Sequence, residues 1–74
     1  MTQSLEDYLE TIYRLITEYR MAQVRDIAKS LGVPRPSVVK AIRELMKLGL
    51  VTHEPYGGVD LTVKGRRVAR SVLS

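Results

Sequence analysis

The chain has 74 residues, 45% of them hydrophobic and 27% charged, with a net charge of +4 and no cysteine. That composition excludes a disordered tract, a disulfide scaffold and thiolate metal sites, and the longest apolar run is too short to span a membrane. A chain of this size hides only about 60–65% of the surface its unfolded form exposes, so residues 1–74 are expected to form one small domain; the opening Met-Thr-Gln-Ser-Leu-Glu-Asp lacks signal-peptide character and points to the cytoplasm.

Ser4 is a good N-cap for a first helix, with Glu6 and Asp7 in the opening turn where the helix dipole favours negative charge. Leu5, Tyr8, Leu9, Ile12, Tyr13, Leu15, Ile16 and Tyr19 then recur every three or four residues, which predicts one apolar stripe on a helix ending near Arg20. Met21-Ala22-Gln23-Val24 reads as a short, strand-like connector. A second helix is expected from about Arg25 to Leu31, buried through Val24, Ile27, Ala28 and Leu31 and ended by Gly32 in the left-handed conformation.

Val33-Pro34-Arg35 is the turn, and Pro36 suits the first position of a third helix because its missing N–H costs nothing there. That helix runs to about Leu48 and is terminated by Gly49. With Val38 at the centre of its buried face, Ile42, Leu45 and Gly49 fall with it, while Pro36, Ser37, Lys40, Arg43, Glu44 and Lys47 project away. Leu50–Glu54 and Val59–Thr62 read as two strands joined at Pro55-Tyr56-Gly57-Gly58, where paired glycines would supply the positive φ of a tight turn. A last helix starts at Thr62 or Val63, with Val68, Ala69, Val72 and Leu73 on one side and Lys64, Arg66, Arg67 and Arg70 mostly on the other.

Two short helices joined by a Gly-x-Pro turn, the second one basic and followed directly by a hairpin, give a mainly helical α+β fold. It is a winged helix-turn-helix of three helices, a two-stranded β-hairpin wing and a C-terminal helix, an order of elements that usually places the third helix in a DNA major groove. Charge distribution agrees. Residues 1–18 carry a net −3, and residues 19–74 carry eleven Lys and Arg against Asp26, Glu44, Glu54 and Asp60, a net +7. Such asymmetry suits a polyanion-binding surface, or serves solubility alone.

Ser37 and Lys40, near the start of the exposed face, are placed to reach base edges, with Pro36 beside them. Small Ser37 and Ala41 are expected to permit close approach to the groove. Arg35 and Lys47 suit phosphates, Arg25 joins them from the second helix, and Arg43 serves either purpose; the competing reading is a solvated basic surface helix. Tyr56 and Gly57 at the wing tip either touch the minor groove or sugar–phosphate backbone, or the tyrosine folds over the hairpin. Arg66, Arg67 and Arg70 either reach phosphates or solubilise the last helix.

Ser4-Leu5-Glu6-Asp7-Tyr8-Leu9-Glu10-Thr11-Ile12-Tyr13 resembles the opening of the diphtheria-toxin-repressor family of metal-dependent regulators. The likeness continues through Val24-Arg25-Asp26-Ile27-Ala28, Pro36-Ser37-Val38 and Leu61-Thr62-Val63-Lys64-Gly65, and so covers nearly the whole chain in order. It implies a winged-helix domain that binds operator DNA as part of a homodimer. It also implies that Asp7 and Glu10 match metal ligands of the manganese-responsive branch, since the iron-responsive branch carries methionine at the position of Asp7. Residues three apart share one helix face, and paired carboxylates suit Mn²⁺ and other hard cations. The competing reading is that Asp7 caps the helix and Glu10 is solvated.

In that family the remaining ligands, histidines included, come from a helical dimerisation domain that would follow Leu73, and His53 lies in the wing. The site is therefore expected to be incomplete: Mn²⁺ or Fe²⁺ belongs to a full-length context and should not bind tightly to this chain alone. The chain is then either a piece of a longer regulator or a small one that dimerises through its own terminal helices. The leading expectation is a sequence-specific DNA-binding domain of a transcriptional repressor. The alternative is a metal-independent winged-helix protein-interaction module, marked by an apolar exposed face on residues 36–48. An enzyme is not expected, since there is one histidine, no phosphate-cradling glycine loop and no room for a substrate pocket.

Overall fold

A computed structural model describes residues 4–54 and 58–73. Tyr56 and Gly57, expected at the wing tip, lie outside the described residues. The elements follow in the order α1 (Leu5–Tyr19), α2 (Val24–Leu31), α3 (Arg35–Lys47), β1 (Val51–His53), β2 (Val59–Leu61) and α4 (Val63–Leu73). This is the winged helix-turn-helix, with β1 and β2 antiparallel in the register Val51 to Leu61, Thr52 to Asp60 and His53 to Val59.

Helix α1 begins at a reciprocal capping box. The Asp7 amide donates to Ser4 Oγ at 3.2 Å, and the Ser4 amide donates to Asp7 Oδ2 at 3.4 Å. Its C-terminus turns through Arg20, a non-glycine residue in the left-handed region at φ 66°. That conformation costs about 1 kcal/mol relative to glycine. Tyr8, Leu9 and Ile12 are buried together with polar Thr11, whereas Tyr19 is 67% exposed. Spacing alone placed Tyr19 on the apolar stripe, but the chain turns away at Arg20, and in the last turn it is Ile16, not Tyr19, that packs against the core.

Helices α2 and α3 start one residue earlier than expected. Pro34, in extended conformation, takes the N-cap of α3, so Pro36 falls at the second helical position. Proline is tolerated there because the first four amides of a helix have no intrahelical partner anyway. Gly32 and Gly49 end α2 and α3 with φ of 66° and 72°. Gly49 lies beyond the helix and is exposed, rather than on its buried face.

The core joins Leu9 and Ile12 of α1, Ile27 of α2, Val38, Ile42 and Leu45 of α3, Val51, Val59 and Leu61 of the hairpin, and Ala69 of α4. Burying each large aliphatic chain contributes about 1.5–3 kcal/mol. Both strands are shorter than expected, but the connector carries part of the ladder. Ala22 bridges to Val59, whose amide donates to the Ala22 carbonyl at 2.6 Å. Gly58 does not adopt positive φ; it is needed because a Cβ there would overlap the same Ala22 carbonyl.

Candidate nucleic-acid interface

Helix α3 divides into two faces. Val38, Ala41, Ile42 and Leu45 recur at i, i+3, i+4 and i+7 and enter the core. Arg35, Pro36, Ser37, Lys40, Arg43, Glu44 and Lys47 are exposed, as expected. Ala41 corrects the sequence reading: it is 5% exposed and packs inside, so only Ser37 supplies a small residue to the outer face. An alanine fits either environment, and here its place beside Ile42 in the buried stripe decides.

The outer face is basic and largely uncommitted. Lys47 lies 3.8 Å from Glu44, an exposed pair worth little. Among the described residues Arg35, Lys40 and Arg43 make no ion pair or side-chain hydrogen bond. Apolar exposure on this side is confined to Met46 and Leu48 at the far end, so the broad apolar face that would mark a protein-docking helix is absent from the described part of α3. Arg25 is exposed in the first turn of α2, 3.8 Å from Asp26. No side-chain cap closes the N-terminus of α2 or of α3.

Asp7 and Glu10 sit on the first turns of α1, each already engaged. Asp7 completes the capping box, and Glu10 pairs with Arg14 at 3.4 Å. Their i,i+3 spacing leaves both carboxylates on one helix face. No cluster of three or more His, Cys, Asp or Glu suited to a metal ion occurs among the described residues.

The cations of α4 behave differently from those of α3. Arg70 Nε donates to Tyr13 Oη at 3.3 Å, and that hydrogen bond raises the guanidinium pKa above its ordinary value. Arg66 and Arg70 line an open groove with Arg20, Asp60 and Tyr13, to which no α3 residue contributes. Lys64 Nζ donates to the Leu48 carbonyl at 3.2 Å, and Thr62 Oγ1 donates to the Gly49 carbonyl at 2.7 Å. Sequence reasoning missed these last two contacts. Their partners lie 13 and 16 residues away in sequence, beyond the reach of local pattern.

The family described as "Iron dependent repressor, N-terminal DNA binding domain" matches residues 1–59. The chain is 43% identical over 72 residues to the HTH-type transcriptional regulator MntR of Shouchella clausii, covering 97% of this chain and 50% of the relative. It thus spans about half the length of the curated relatives it matches. Among solved structures it resembles T. acidophilum IdeR, with TM-score 0.86 and 35% identity over 93% of this chain and 32% of that one. It also resembles the manganese regulator SloR, with TM-score 0.81 and 34% identity over 96% of this chain and 33% of that one. No helix among the described residues is long and apolar enough to cross a membrane.

Proposed function

Since the chain belongs to the iron-dependent repressor family and matches its N-terminal DNA-binding domain, we propose that it reads duplex DNA through the outer face of α3, as the reading part of a metal-responsive transcriptional repressor in the cytoplasm. The observation that carries this reading is the set Arg35, Lys40 and Arg43, uncommitted to any carboxylate on a helix whose opposite face is core. Ser37 and Lys40 face base edges from the N-terminal half of the helix, with Pro36 beside them. Arg25, Arg35 and Lys47 neutralise phosphates, and Arg43 takes either role. Tyr56 and Gly57, outside the described residues, are candidates for a contact with the minor groove or the sugar–phosphate backbone. Two copies are needed for specific binding, on half-sites about one helical turn or a multiple of it apart. The role is recognition, with no catalysis.

Asp7 and Glu10 fit a hard divalent ion as two of its ligands, being carboxylates three residues apart on one helix face, Asp7 exposed and Glu10 half-buried. The matching family is described as iron dependent and one similar structure is a manganese regulator, so Mn²⁺ and Fe²⁺ are the ions to test. A bound ion would neutralise both carboxylates and fix the first turns of α1. Two ligands do not complete an octahedral shell, so this chain alone should hold the ion weakly.

Anisotropy titration with a random duplex pool at low salt tests the main reading. Four phosphate contacts predict that log K falls against log salt with a slope of about −3 to −4; no affinity for any duplex would overturn it. For the metal, calorimetry with Mn²⁺ should give weak heats that disappear in Asp7→Ala, and unchanged heats would remove Asp7 from the site.

A further inference from the structure

We infer that Thr62, assisted by Lys64, is a positioning residue for DNA reading: it fixes the C-terminal end of α3 to the N-terminal end of α4 and so sets the tilt of the reading helix. The inference rests on the DNA-reading function proposed above. It begins with three consecutive carbonyls at the exit of α3. They belong to the turn that follows the helix, whose own Glu44, Leu45 and Met46 carbonyls accept from the amides of Leu48, Leu50 and Gly49. Here Leu48 O accepts from Lys64 Nζ at 3.2 Å, Gly49 O from Thr62 Oγ1 at 2.7 Å, and Leu50 O from the Thr62 amide at 3.1 Å. All three donors come from two residues at the start of α4.

The hydroxyl of Thr62 has one proton and a fixed polarity. Its oxygen accepts the Gly65 amide at 3.0 Å, which caps α4, and its proton goes to Gly49 O. One atom therefore joins the capped start of α4 to the turn that follows α3. Gly65 brings the two closer still, because any Cβ there would collide with the Leu50 carbonyl. Thr62 N–H, Thr62 Oγ1 and Lys64 Nζ together hold the turn that links α3 to the wing.

The magnitude of a tilt at that turn decides why this matters. Helix α3 is about 20 Å long, so a tilt of about 10° at its exit displaces Ser37 by about 2.5 Å. Base contacts depend on heavy-atom distances held within a few tenths of an ångström. Phosphate contacts through long, flexible lysine and arginine side chains tolerate that displacement. Loss of the clamp should thus erode base preference while leaving general affinity and its salt slope in place.

The experiment uses a duplex that the wild-type chain enriches from a randomised pool, set against a shuffled duplex. Thr62→Asp separates the two roles of the hydroxyl: a carboxylate still accepts the Gly65 amide and caps α4, but has no proton for Gly49 O. It should melt close to wild type, keep the salt slope and lose roughly tenfold in preference for the enriched duplex, the cost of about one misplaced base contact. Thr62→Ser, which keeps both bonds, should restore the preference. Lys64→Met, on an exposed side chain that does not threaten folding, should lower it by about threefold. Undiminished preference in Thr62→Asp and Lys64→Met overturns the inference while the DNA-reading function stands. A wild-type chain with no affinity for any duplex at low salt overturns that function, and the inference with it.

Discussion

Helices α3 and α4 each carry four cations, Arg35, Lys40, Arg43 and Lys47 on one and Lys64, Arg66, Arg67 and Arg70 on the other, and every one of them is exposed. A charge count cannot separate them. The fate of their donors does. On α4, Lys64 is committed to the Leu48 carbonyl and Arg70 to the Tyr13 hydroxyl, while the helix start is capped by Thr62. On α3, three of the four cations have no partner among the described residues, and the helix start carries no side-chain cap. Arg66 and Arg67 of α4 are likewise without a side-chain partner among the described residues, so the contrast rests on Lys64 and Arg70, whose donors serve their own domain, and on the uncapped start of α3.

This contrast can be broken in several ways. The largest effect is expected at Gly65. Alanine is the better helix former, yet its Cβ would meet the Leu50 carbonyl, so Gly65→Ala should cost about 2 kcal/mol of stability in denaturant unfolding. A stabilised protein would mean that α4 is only loosely docked. Next comes Lys40→Ala, which should lose about 1–3 kcal/mol on an enriched duplex and almost nothing on a shuffled one. Equal losses on both would reduce Lys40 to a phosphate contact. Lys47→Ala should weaken all duplexes alike and lower the salt slope by about 1. The smallest effect belongs to Tyr13→Phe, which frees Arg70 from an exposed bond; stability should change by no more than about 0.5 kcal/mol, with DNA affinity unaltered. A clear rise in affinity there would show that α4 also reaches DNA once released.

Much of this was legible in the residue pattern. Periodicity located all four helices, because a stripe at i, i+3, i+4 and i+7 has few other uses. The candidate face on α3 was legible for the same reason, being what the stripe leaves over. Ala41 and Tyr19 were misread, each for a physical reason. A small apolar side chain suits both faces, and periodicity does not report where packing partners stop. Thr62 and Lys64 are harder still, since their partners lie across the hairpin at Gly49 and Leu48 and nothing local announces them. Asp7 stays double-valued in sequence because a carboxylate three residues after serine serves equally as a cap and as half of a cation site.

The Ala22 bridge changes what kind of object the wing is. A free two-stranded ribbon is marginally stable in water and yields to whatever presses on it. This one is strapped at Val59 to the link between α1 and α2, with Gly58 shaved to backbone to let the strap lie flat. The hairpin is therefore anchored to the link that leaves α1, and moving it away from that helix would break the Val59–Ala22 bond.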